Sequence, residues 1–222
     1  MRDHLPETLS RLTIFEESYA FYDTFPRMHT WMWFGLADPT GGPGATLASK
    51  SLGLEHLAVS FLVGAEEIFR HCQSTWSWSR LQTLALTSHL LRKPGDEGEY
   101  RQIEALLCRA GVLAKNMPEL HTLILWNGGK AHACAFIYRG EGEKASITWR
   151  GTWHLDLSAP VVESWQLVAS KLSYELQIQH EYVEGIVSSP GDALYHLELP
   201  CQVIDPRSLW QIRRETPSLR AQ

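Results

Sequence analysis

A histidine and a cysteine two residues apart on an extended strand project to the same side and can share a zinc ion. His132-x-Cys134 has that spacing. His71-Cys72 or Cys108 could complete a four-ligand set, but no C-x-x-C pair accompanies them. A metal-binding or enzymatic domain using the His132/Cys134 region is therefore one reading. The other is a buried Cys134 beside a hydrogen-bonded or exposed His132. It is preferred, because free cysteine is among the most buried residue types. Glu66/Glu67 and Glu141/Glu143 are carboxylate pairs. An acid/base couple needs a cleft that raises one pKa, and nothing in the sequence suggests one, so solvated surface is expected. There is no G-x-S-x-G elbow and no P-loop, and Gly140-x-Gly142 lacks a third glycine and opens no helix. No catalytic residue, metal or cofactor is expected.

The elements that would position any site are more legible. Leu120-His121-Thr122-Leu123-Ile124-Leu125 follows the pattern Leu-x-x-Leu-x-(Leu/Val/Ile). So do Leu54 to Val59, Leu81 to Leu86 and, more faintly, Leu9 to Ile14. This is the strand signature of a leucine-rich repeat. The spacing from Leu57 to Leu84 falls inside the usual repeat length of about 20–29 residues. The spacing from Leu84 to Leu123 is longer, and a charged loop insertion over 92–99 accounts for the excess. Amphipathic helices are expected over 65–72 and from Ile103 to Met117, the second ended by Pro118. Strand-helix-strand order implies parallel strands with helices outside. The residue three after the last apolar position, usually Asn or Cys, falls here on Leu62, His89 and Gly128, so the repeats are irregular.

Elsewhere the reading is coarser. The aromatic segment 16–32 predicts a short helix or a hairpin. Asp38 to Gly44 is rich in Gly and Pro, and a loop insertion over 38–50 is expected. Gly128-Gly129 predicts a turn. Residues 133–138 and 146–149 read as a hairpin that ends the parallel pattern and covers the sheet edge. Pro160 opens a helix to about residue 180, with Val161, Trp165, Val168, Leu172 and Leu176 as its apolar stripe. Asp205-Pro206 caps a last helix to about Arg214. The chain is read as one domain over 1–215, with a disordered tail over 216–222. Trp31/Trp33 and Trp76/Trp78 are read as core or sheet-face pairs.

Composition fits a globular protein, with 44% hydrophobic and 20% charged residues over 222 positions. A net charge of -5 and a pI near 6.1 argue against a broad grip on nucleic acid. Arg207, Arg213, Arg214 and Arg220 form a local basic cluster, read as a solvated helix face. Four widely spaced cysteines predict reduced thiols. No signal core, membrane-length apolar run or N-x-S/T sequon occurs. A soluble intracellular protein, cytoplasmic or nuclear, is expected.

Several stretches together resemble a fungal family of F-box-like proteins, whose C-terminal part is a leucine-rich-repeat-like domain of unknown function. They include Leu5-Pro6-Glu7-Thr8-Leu9, Leu54 to Phe61, Trp78 to Ser88, Leu123 to Gly128, His132 to Phe136, Ile147 to Trp153 and Asp205 to Trp210. The resemblance implies substrate recruitment: an F-box docks on a ubiquitin-ligase adaptor, and the repeats hold the target. The F-box would precede the repeats, and this chain begins at the first repeat. The adaptor is thus an expected partner only of a form with an F-box upstream.

The fold expected is α/β: an irregular leucine-rich-repeat-like solenoid, mostly parallel, with outer helices and a helical C-terminal cap. The function expected is non-catalytic protein recognition. The alternatives are the His132/Cys134 domain and a structural or decayed fragment. By period-2 alternation, Ala58, Ala85 and Ile124, with Ser60, Thr87 and Trp126 beside them, face away from the leucines. That row is apolar for a bare surface and is the expected partner-binding patch. The competing expectation is that the segment 16–34 or the C-terminal helix covers it.

Overall fold

The computed structural model describes residues 8–16, 42–171, 175–210 and 212. Among these residues seven strands form one sheet, hydrogen-bonded in chain order: β1 (Arg11–Phe15), β2 (His56–Ser60), β3 (Thr83–Thr87), β4 (Thr122–Gly129), β5 (His132–Glu141), β6 (Lys144–Gly151) and β7 (Glu175–Tyr182). β1 to β4 are parallel, β5 is antiparallel to both neighbours, and β7 runs parallel to β6. The helices are α1 (Gly42–Ser51), α2 (Ala65–His71), α3 (Glu97–Ala114), α4 (Ala159–Lys171) and α5 (Pro190–Leu197). None among the described residues is long and apolar enough to cross a membrane.

The leucine motifs set the register. Leu12 stands beside Leu57, Leu57 beside Leu84, and Leu84 beside Leu123. The residue before each strand repeats one role. The carbonyl of Ser10 accepts from the Glu55 and His56 amides, that of Glu55 from Gln82 and Thr83, and that of Gln82 from His121 and Thr122. Each of these carbonyls thus pairs the two amides that open the next strand. The leucines point to one side and join a core with Leu47 of α1, Phe69 of α2, Leu107 of α3 and Trp165 of α4. Trp78 is buried there, as expected, and donates Nε1–H to Ser51 Oγ at 2.7 Å.

Several expectations are corrected. Residues 42–51 form α1 rather than loop and bury Leu47 and Ala48. Proline costs little in a first helical turn, so this Gly/Pro stretch marks a helix start. The charged stretch 92–99 likewise ends inside α3: Asp96 caps it, accepting from the Glu99 amide at 2.9 Å, and Glu99 accepts from the Gly95 amide at 2.7 Å. Gly128-Gly129 is strand, and the turn follows at Ala131 with φ +65°. The helix expected to residue 180 does not reach that far: α4 is Ala159–Lys171, and Glu175–Tyr182 is β7. The β5–β6 hairpin is antiparallel as expected and turns at Gly142, φ +61°. It does not end the sheet, because β7 adds beyond β6. The expectations for 17–41, Leu172 and the tail lie outside the described residues.

Candidate binding face

Alternation places the six expected contact residues together on the face opposite the leucines. Ala58 aligns with Ala85, Ala85 with Ile124, and Thr87 with Trp126; Ser60 follows Ala58 by two residues on β2. On β5, Ala135 and Ile137 continue the two rows beside Trp126 and Ile124. The face is as expected; its exposure is not. All six residues are buried. Val183, Val187, Ala193, Leu194 and Leu197, then Val203, Ile204 and Ile212, lie over them. The C-terminal helices therefore cover a sheet face and do not merely cap the end of a stack. The reason is the row itself, since burying apolar surface is worth roughly 25 cal/mol per Å2.

Small residues let the cover approach. A Cβ on Gly128 would stand 2.2 Å from Ala193 Cβ, so α5 rests on bare backbone there. Ser189 caps α5, accepting from the Asp192 amide at 3.1 Å. Arg150, on β6, clamps the other end. Its Nη1 donates to the Leu197 and Glu198 carbonyls at 2.6 and 3.1 Å, and its Nε pairs with Glu181 at 2.5 Å. Backbone bonds from Ala131 to Val187 and from Val183 to Gly151 tie down the entry. Arg150 escaped sequence reasoning because its partners lie far along the chain.

Among the described residues, two polar atoms beneath the cover have no hydrogen-bond partner: Ser60 Oγ and Trp126 Nε1. Each such group costs about 1–3 kcal/mol. Beside them Phe61 has φ +64°, uncommon for a bulky residue. Its amide donates to Thr87 Oγ1 at 2.7 Å, and its ring meets Trp126 edge-on at 5.1 Å and Phe15 at 5.6 Å. A tight turn thus fixes an aromatic cluster where β1 and β2 end, against the middle of β4. Alternation gives no hint of it, because the strand pattern stops at Ser60. His56, at the opposite end of β2, lies 3.4 Å from Thr13 Oγ1; burial, then the Arg11 charge, lowers its pKa.

The chemistry-bearing residues have other partners. Cys134 is fully buried and donates Sγ–H to the Leu91 carbonyl at 3.1 Å, which Asn127 Nδ2 also meets at 3.2 Å. His132 sits at the strand start with Nδ1 3.3 Å from the Lys130 carbonyl and Nε2 buried without a partner among the described residues. Among the described residues, no group of three or more His, Cys, Asp and Glu side chains is placed to hold a metal. Glu66 accepts from Ser88 Oγ at 2.8 Å and pairs with His89 at 2.6 Å, holding the turn after β3. Glu141 and Glu143 are exposed at the hairpin tip. Of the basic cluster only Arg207 is described, exposed on the 206–210 helix.

Burial pushes the Cys134 thiol up to about 12, and those of Cys72 and Cys201 up to about 11. In the unfolded chain these thiols ionise near 8.5. Below that pH both states keep the protons and stability is unaffected. Above it the unfolded chain loses protons that the folded chain retains, so stability falls from about pH 9 towards pH 11–12. Urea midpoints at pH 8, 9 and 10 should decline in that order, less steeply for Cys134→Ala. Equal slopes in the two proteins would contradict the buried, protonated thiol.

Residues 4–205 match the model of a family of unknown function (DUF6546). No curated protein and no solved structure matches.

Proposed function

The chain belongs to that family of unknown function, DUF6546, and from this premise we propose that it is a non-catalytic protein-recognition domain. Its architecture is then an irregular leucine-rich-repeat-like solenoid. The stacked leucine motifs and the repeated carbonyl of Ser10, Glu55 and Gln82 support that reading. The binding surface is the face holding Ala58, Ser60, Ala85, Thr87, Ile124 and Trp126, occupied in the free chain by its own residues 183–212.

The observation that carries this is the pair of unpartnered polar atoms, Ser60 Oγ and Trp126 Nε1, under that cover. The chain's own segment satisfies the apolar surface and leaves the polar atoms alone. A partner segment that supplied an acceptor to Trp126 Nε1 and a partner to Ser60 Oγ would gain what the cover lacks. Specificity then resides in those hydrogen bonds, as it does where a binding site leaves buried polar groups unpaired against the wrong ligand.

The test uses the full chain and two variants. Ala193→Arg forces a charge under α5 and leaves the face itself intact. Adding Trp126→Ala removes the face's central residue. A protein captured from extract more strongly by Ala193→Arg than by the parent, and lost in the double variant, is the expected result. Equal capture by all three folded proteins overturns the proposal. The finer role, recruitment of a target to ubiquitin ligation, adds one expectation. A form extended upstream to include an F-box should also bring down the ligase adaptor.

A further inference from the structure

β7 carries a pattern that the described residues leave unfulfilled. Leu176, Ile178, His180 and Tyr182 align with Ala145, Ile147, Trp149 and Gly151 of β6, and so share the helix-side face. On β6 those positions are buried. On β7 Ile178 is 40% and Tyr182 71% exposed. Alternation of apolar and polar residues predicts one buried face, and here that face ends in solvent. Among the described residues no strand pairs with the outer side of β7. The strand has no Lys, Arg or Pro, the residues that commonly block an edge. Of its two carboxylates, Glu181 is already paired with Arg150.

We infer that β7 is a self-association edge, pairing antiparallel with β7 of a second copy about Gln179. This register sets Gln179 opposite itself, Ile178 opposite His180, Leu176 opposite Tyr182 and Gln177 opposite Glu181. Apolar and aromatic groups then meet on one face and polar groups on the other. A pairing about Ile178 would instead oppose Glu175 to Glu181, and like charges directly opposite destabilise a sheet. The contact is isologous and closes as a two-fold dimer. At about 3.4 Å per residue the seven paired positions, 176–182, make an edge roughly 24 Å long. The two-fold axis stands perpendicular to the joined sheet, so both covered faces lie on one side of the dimer. The inference does not depend on what those faces bind.

Sedimentation equilibrium of the full chain at about 1–100 μM tests it. The expected mass rises towards twice the 25.2 kDa of one chain. Ile178→Lys should weaken association at least tenfold with an unchanged circular-dichroism spectrum. Gln177→Glu should weaken it and Gln177→Arg should tighten it, because position 177 faces Glu181 of the second copy. Gln179→Cys should form a disulfide-linked dimer on mild oxidation, since a directly opposed pair has Cβ atoms about 4.5–5.5 Å apart. A parent chain that stays monomeric at the highest concentration overturns the inference. So does a dimer that Ile178→Lys and both Gln177 variants leave unchanged.

Discussion

Trp165→Ala is expected to destabilise the protein by about 3–5 kcal/mol, the range for removing a large aromatic side chain from a packed core. Trp165 is fully buried on α4. Its ring lies 5.1 Å from that of Phe136 and 4.9 Å from that of Tyr138, both on β5. Its Nε1–H donates to the Leu107 carbonyl of α3 at 3.1 Å. One side chain therefore joins two helices to the strand where the sheet changes from parallel to antiparallel. Alanine leaves a cavity with three walls on separate elements, and none can collapse into it without losing its own contacts. The comparison is Leu167→Ala on the same helix, where the side chain is 55% exposed and a change within about 0.5 kcal/mol is expected. Urea unfolding of both variants measures the difference. A Trp165→Ala loss below about 1 kcal/mol would mean that α4 is not part of the cooperative core.

The parts of this fold that sequence reveals are those whose signal is local. Leu57, Leu84 and Leu123 share one motif, so the motif alone aligns their strands, and the register agrees. Ser60 and Trp126 can be assigned to the opposite face because alternation needs only neighbours. The failures share a different cause. The apolar spacing of Val161, Trp165 and Val168 runs on at helical intervals to Leu176, and no Gly or Pro marks the change from period 3.6 to period 2 after Lys171. At Gly42-Pro43-Gly44 the residues that break helices also begin one. The start of α5 is readable: Ser189-Pro190-Gly191-Asp192 is a capping sequence with proline at the first helical position. Its landing place is not. That depends on Arg150 meeting the Leu197 carbonyl and on Ala193 meeting bare backbone at Gly128, which are contacts between distant residues. The candidate face is thus legible as a face, and its cover is legible only as a helix.

Gly128→Val is the substitution that should separate cover from sheet. Its Cβ would stand 2.2 Å from Ala193 Cβ and 3.7 Å from Ala193 Cα, so no flexible side-chain end can swing away. Valine is intrinsically favourable in a strand, and any loss is therefore steric. β4 is hydrogen-bonded on both sides, to β3 and to β5, whereas α5 rests on one surface. The helix should yield. Overpacking of this kind costs about 1–3 kcal/mol. The expected result is loss of amide protection across 183–212, protection kept in β2 to β6, and a red-shifted Trp126 that acrylamide quenches. Gly129→Ala is the control: its Cβ would meet His132 Cε1 at 2.8 Å, the movable end of a side chain, and protection of 183–212 should persist. If Gly128→Val instead makes strands and cover lose protection together, the two form one cooperative unit. The face bearing Trp126 could then open only by unfolding, and recognition through it would fail. If the cover alone is released, the chain holds a folded sheet whose second face is available to a partner, with Ser60 and Trp126 presenting the polar atoms that the cover leaves unbonded.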